Sequence, residues 1–272
     1  MSPTCRILQL SDPHLLADLG GRCRGVRPLR HLQQALRLGL EQVLRLGSAA
    51  DLLMISGDLC HDESWGGYVR LRELVQALPP SLAVALLPGN HDRPLYLRAV
   101  LGRRATVAPA LLPCGGWDLL LLDSHRPGCL SGWLGAPQLT WLERLLAPRS
   151  VAERADGARP LLLALHHPPL PIGDPLMDTM LLQDSAALFR ILAPLPQLRG
   201  LVFGHIHQHW QGCFPGRPEV ALLGCPSTLK SFGPVQPCPL GQPHAPGGRL
   251  LELEPDGRLR QRLLRWDTPE SP

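Results

Sequence analysis

The chain has 272 residues, 44% of them apolar and 18% charged, with a net charge of +4 and few aromatics. That balance reads as a soluble globular protein, long enough for a buried core. The mild basic excess suits an anionic substrate, but it contains no basic run of the kind a nucleic-acid binder carries, and no apolar stretch is long enough for a membrane span.

In chain order, Arg6 to Leu10 reads as a strand that ends at Ser11, Asp12, Pro13 and His14. Apolar residues at Leu29, Leu32, Leu36, Leu40, Val43 and Leu44 have helical spacing, with Gly47 as a stop. Asp51 to Ile55 is a buried strand ending in Ser56, Gly57 and Asp58. Tyr68 to Leu78 reads as helix. Leu82 to Leu87 is a third strand, ending in Gly89, Asn90, His91 and Asp92 ahead of another helix. Trp117 to Leu122 is a strand, and Pro137 with Leu139, Leu142, Leu145 and Leu146 marks a helix. Leu161 to Leu165 is a strand ending in His166 and His167. Ser185 to Leu192 is a short helix with Asp184 as its cap. Leu201 to Phe203 is a strand ending in Gly204, His205, Ile206 and His207. Val220–Leu223, Arg249–Leu253 and Arg258–Trp266 complete the strands.

This alternation predicts a largely parallel sheet with helices on its faces, and a second sheet from the strand-rich C-terminal third. No repeat or linker divides the chain, so residues 1–272 are expected to form a single domain with a flexible tail over 267–272. Residues 233–248 hold nine Gly or Pro among sixteen and are expected to be an irregular loop, on the surface or over the site mouth. Arg6 and the first motif follow Met1 too closely for a signal peptide, which predicts a cytoplasmic location. In that reducing compartment the eight cysteines, none in a CxxC pair, are expected to be free thiols.

Five polar clusters each follow an apolar strand: Asp12 and His14; Asp58; Asn90 and His91; His166 and His167; His205 and His207. Carboxylate, imidazole and amide donors without thiolate suit manganese, iron or zinc. The Asp12–His14 and His205–His207 pairs are spaced i, i+2, which on regular strands directs both members to one face. One ion rarely needs so many donors. Two ions about 3.5–4 Å apart, bridged by one carboxylate, would use them all. Two cations can neutralise a phosphoric ester, hold it in line and generate hydroxide to attack phosphorus. A histidine beside them but not bound to them can protonate the leaving alkoxide, and His91, next to Asn90, is the natural candidate.

Together, Asp12-x-His14, Gly57–Asp58, Gly89–Asn90–His91–Asp92, His166-x-Pro168 and Gly204–His205–Ile206–His207 resemble the motif series of the calcineurin-like metallophosphoesterase superfamily. The longer phrases GDLCHD, HHPPLP, GHIHQ, CPST and PGGRLLELEPDG resemble the bacterial class III 3',5'-cyclic AMP phosphodiesterases, from about Ile7 to Arg258. The resemblance implies an α/β fold, a four-layer αββα sandwich of two mixed sheets flanked by helices. It implies two divalent ions per chain (iron, manganese or zinc) and hydrolysis of cyclic AMP to AMP by a metal-bound hydroxide. Asp12, His14, Asp58 and His207 would hold one ion. Asp58, as the bridge, would hold the other with Asn90, His166 and His205. His91 would be catalytic, and Asn90, His91 and His207 would meet the substrate. His166 fits the His-x-Pro spacing, so His167 would point to the other face.

The same motifs would serve an enzyme for another phosphodiester, a nucleotide-sugar or a phosphomonoester. A non-catalytic scaffold that kept the fold would be expected to have lost ligands. The expected partner is a small anionic phosphodiester substrate, cyclic AMP first, with neither nucleic acid nor membrane, and the protein is expected to be a monomer or homodimer. Asp92 could orient His91 or cap the next turn, and Asp62 could accept from His91 or be solvated. His61 and His125 could touch substrate. Ser227 and Thr228 could wall the site or pack, and His209 could edge the pocket or pack. His31 and His244 have no supporting pattern.

Overall fold

The computed structural model describes residues 3–147 and 158–269; residues 270–272 of the expected tail lie outside them. Strands β1 (Cys5–Leu10), β2 (Leu52–Ser56), β3 (Ala83–Leu87) and β4 (Thr106–Val107) pair in parallel. They are joined through helices α1 (Pro28–Arg45), α2 (Trp65–Gln76) and α3 (Pro94–Leu101). The antiparallel strands β11 (Gly247–Leu253) and β12 (Leu259–Arg265) extend this sheet beyond β1. A second six-stranded sheet has the order β5-β6-β7-β8-β10-β9. Its strands are β5 (Ala110–Cys114), β6 (Trp117–Leu121), β7 (Leu161–Ala164), β8 (Leu198–Phe203), β9 (Trp210–Phe214) and β10 (Arg217–Gly224), with α4 (Gly135–Leu146) and α5 (Ser185–Leu192) beside them.

Strand side chains alternate between two faces, and each face here finds an apolar partner. In β1, Leu8 and Leu10 pack with Leu32, Leu36 and Val43 of α1, while Ile7 turns the other way. Ile7 meets Met54, Leu119, Leu162 and Val202, a core shared by strands of both sheets. In β7, Leu161 and Leu163 pack with Leu142 of α4 and with Leu188 and Leu192 of α5. Three apolar cores therefore separate four layers, helix–sheet–sheet–helix, as expected.

Several local expectations are corrected. β4, β5 and β9 were not expected. They are short, or carry Pro113, Gln211 or Gly212, residues tolerated because β4, β5 and β9 lie at sheet edges. Gly247 and Gly248 are regular strand, not irregular loop. An added Cβ would lie 2.4 Å from the Leu264 carbonyl oxygen and 2.6 Å from that of Gln9, so these glycines let strands close up. Asp184 does not cap α5. Its carboxylate accepts from the Leu134 and Gly135 amides and so caps the start of α4. Cys5 and Cys114 are not free thiols. The start of β1 meets the end of β5, and the two are joined in a disulfide across a sequence separation of 109 that hides the pairing. No helix among the described residues is long and apolar enough to cross a membrane.

Candidate active site

The parallel strands of both sheets end at one edge, and every cluster picked out by the sequence sits there. Asp12 and His14 follow β1, Asp58 follows β2, and Asn90 and His91 follow β3. His166 follows β7, and His205 and His207 follow β8. Loops at the carboxyl ends of parallel strands are where α/β sheets present their chemistry. The loops dock on one another through the backbone. The Asp12 amide donates to the Gly57 carbonyl, the His14 amide to that of Asp58, and the Gly204 amide to that of His166.

The paired residues do not alternate on strands as expected. Asp12, His14, Asp58, His205 and His207 all have left-handed backbone, with φ between 47° and 68°. Only two other non-glycine residues share it among those described, Arg24 and Glu63. Left-handed conformation costs an ordinary L-residue about 1–2 kcal/mol. The chain holds five such residues in the loops that carry this cluster, because the turns aim their side chains inward.

The side chains form two adjoining nests. In one, His14 Nε2 lies 3.1 Å from His207 Nε2, His207 Nε2 lies 3.4 Å from Asp12 Oδ1, and His14 Nε2 lies 3.7 Å from Asp58 Oδ2. In the other, His166 Nε2 lies 3.4 Å from Asp58 Oδ1 and 3.3 Å from both Asn90 Oδ1 and His205 Nδ1. Asp58 thus divides its two carboxylate oxygens between the nests.

This donor set fits cations. The His166 Nδ1–H donates to the Ser56 carbonyl at 2.7 Å. In a neutral ring, Nε2 is then a bare lone pair, and it faces a carboxylate oxygen, an amide oxygen and another imidazole nitrogen. Acceptors crowded together without hydrogens repel unless a positive charge sits among them. A proton serves in its place: burial lowers the His166 pKa, but the Asp58 carboxylate outweighs that and lifts it to about 9. Burial, with His166 beside it, drops His205 to about 3. Burial opposes ionisation of Asp58, yet His166 and His14 hold it well below the usual carboxylate range. Divalent cations held among these donors would satisfy them.

The glycines of the motifs have a physical role. A Cβ on Gly89 would lie 2.2 Å from Asp58 Oδ1, and one on Gly57 2.0 Å from His166 Nδ1. One on Gly204 would meet Ser11 Oγ at 2.1 Å. Each glycine lets a loop backbone close onto a donor of a neighbouring loop.

His91 stands at the edge of the nests. Its amide donates to Asp58 Oδ1 at 3.0 Å, and its ring stacks on His61 with centroids 4.8 Å apart. His61 Nδ1 lies 3.3 Å from His14 Nδ1 and can fix the tautomer of that ring. His167 turns away: its Nδ1 pairs with Ser124 Oγ and its Nε2 with the Leu130 carbonyl. Although it lies near His166 and His205, both of its nitrogens are committed elsewhere.

Asp92 neither orients His91 nor acts as a plain cap. It is buried and accepts from the Gly89, Leu59 and Cys60 amides and the Tyr68 hydroxyl, tying the loop after β3 to that after β2. Asp62 accepts from Ala17 and Ser64. His125 Nδ1 donates to the Gly89 carbonyl and props the same loop. His209 is bound to Arg249, and Ser227 donates to the Asp12 carbonyl. One neighbour was missed: Phe232 stacks flat on His207, centroids 4.5 Å apart, with the Arg24 guanidinium carbon 4.3 Å from the Phe232 ring centre. An aromatic at the head of the Gly/Pro-rich segment, in a chain with only four Phe, was the available signal.

Residues 5–209 match the family model described as calcineurin-like phosphoesterase. The chain belongs to the calcineurin-like phosphoesterase family. It is 47% identical over 270 residues to a probable cyclic nucleotide phosphodiesterase of a Synechococcus species, covering 97% of this chain and 98% of that protein. It is 37% identical over 262 residues to the 3',5'-cyclic adenosine monophosphate phosphodiesterase CpdA of Pseudomonas aeruginosa, covering 96% of this chain and 90% of that one. Among solved structures, a dimetal phosphatase from Danio rerio shares the fold, with a TM-score of 0.60 at 13% identity, over 97% of this chain and 100% of that one. The family and the His/Asp cluster just described together point to divalent metal at this site.

Proposed function

We propose that this protein is a cyclic-nucleotide phosphodiesterase that opens 3',5'-cyclic AMP to AMP at a pair of divalent ions. The observation that carries this reading is the Asp58 carboxylate, whose two oxygens face two separate nests of donors. The names of the relatives above supply the substrate class.

Asp12, His14 and His207 would hold one ion, and Asn90, His166 and His205 the other, with Asp58 shared. Iron, manganese and zinc all suit this donor set. When bound, the ions supply positive charge against the ester and lower the pKa of water. The chain does the rest. Asn90 stands beside His91 and orients the phosphoryl oxygens. His207, braced by the flat Phe232 ring, forms one wall. Opening a cyclic phosphate releases a sugar alkoxide that needs a proton. His91, anchored through its amide to Asp58 and half-exposed at the edge of the site, delivers it.

The test is a substrate panel on manganese-loaded protein: cyclic AMP, an aryl phosphodiester and an aryl phosphomonoester, with His91→Ala in parallel. The reading expects rapid turnover of cyclic AMP to AMP. His91→Ala should lose about 10²–10⁴-fold on cyclic AMP, and much less on the aryl diester, whose phenolate leaves without help. Turnover of the aryl compounds alone would remove the cyclic AMP assignment. An equal loss on both diesters would remove the general-acid role.

A further inference from the structure

The segment Ser227–Phe232 touches the metal motifs through Ser227 and Phe232, and it also borders a second cavity. This cavity, of about 560 Å³, lies between the start of α1, residues 242–246 and residues 267–269. Arg22, Arg27, Arg30 and Lys230 line it, together with His31 and His244. Asp267 is the one carboxylate among its described lining residues. Arg27, Arg30 and Lys230 take part in none of the ion pairs among the described residues.

Further features add to this positive charge. The Arg27 Nε is buried without a partner. Arg265 does not line the cavity, but it is 7% exposed and donates to the carbonyl of Ala245, which does, as well as to Ser231 Oγ and the Pro243 carbonyl. Its Nε is also unpartnered, and it too forms no ion pair with a described carboxylate. The first turn of α1 has no acidic residue and no side-chain cap, so its free amides add to the same positive field.

Three arginines and a lysine around one cavity, against a single lining carboxylate among the described residues, form a receptor for a dianion with tetrahedral oxygens. The volume is in the range of small-molecule sites. No Phe, Tyr or Trp is among the lining residues, so the cavity lacks the stacking platform that single-stranded nucleic acid uses. We propose that this cavity binds the dianionic phosphate of a small molecule, either inorganic phosphate or a nucleoside 5'-monophosphate. The site is separate from the metal nests and does not rest on the reading given for them.

The test is a heteronuclear NMR titration of the zinc-loaded protein with inorganic phosphate, with 5'-AMP and with adenosine. Both anions should shift the amides of Arg27 to His31 and of Lys230, whether or not those of Asn90 and His91 move, and adenosine should not. Arg30 and Lys230 are exposed, so the Arg30→Glu/Lys230→Glu variant keeps its core and its hydrolytic turnover. It should weaken the Arg27–His31 response about tenfold or more. Tighter saturation by 5'-AMP assigns the site to the nucleotide, and equal saturation assigns it to inorganic phosphate. No shift at Arg27–His31 with either anion, or an undiminished shift in the variant, overturns the proposal.

Discussion

Small side chains decide this site as much as the donors do. Gly89 shows it most sharply, because a methyl group there would fall within 2.2 Å of Asp58 Oδ1 and 2.7 Å of His166 Nε2. Gly89→Ala should therefore displace the shared carboxylate while leaving the strands intact. The expected loss is about 10–100-fold in metal affinity, as for other changes to groups that hold ligands in place. Metal titration followed by unchanged far-UV circular dichroism would check it. The seven proposed ligands could be read from the sequence because each is polar and follows a buried apolar run. Their geometry has a different source. Period-two alternation does not orient Asp12 with His14, or His205 with His207; the left-handed turns do, and no spacing rule announces those. Phe232 was hidden for a different cause, since its stacking on His207 needs a chain reversal 25 residues long.

At the scale of elements, the strands announced themselves where both faces are buried, as in β2, β3 and β7. Edge strands such as β5 and β9 did not, because an edge tolerates Pro and Gly. What joins the two sheets was also illegible. Arg249 of β11 is fully buried and donates to the Gly224 carbonyl of β10 and the Trp210 carbonyl of β9, 2.8–2.9 Å away, and to His209 Nδ1 at 2.9 Å. Burial lowers its pKa to about 10, so it remains charged at neutral pH. In sequence it looks like any outward arginine on a strand. Arg249→Met would strand those acceptors inside the protein. The expected cost is about 2–4 kcal/mol, read as a lower denaturant midpoint with unchanged slope.

Across the whole molecule, the two sheets share an apolar core and end their parallel strands at one edge. That arrangement lets loops from separate halves of the sequence meet, β1 to β3 supplying one set of donors and β7 to β8 the other. The four-layer architecture followed from the alternation of strands and helices together with the family resemblance. The Cys5–Cys114 link did not, because only the finished sandwich brings those residues together. We propose that both sheets unfold as one unit. Tryptophan fluorescence and circular dichroism of the Arg249→Met protein should then give coincident transitions, and separated ones would refute the single domain. Asp58 is proposed to bridge two ions, and elemental analysis of metal-saturated, desalted protein reads that out. Two divalent ions per wild-type chain are expected, and about one or fewer in Asp58→Ala with cyclic AMP turnover lost. One ion in a fully active wild-type chain, or two retained in Asp58→Ala, would contradict it.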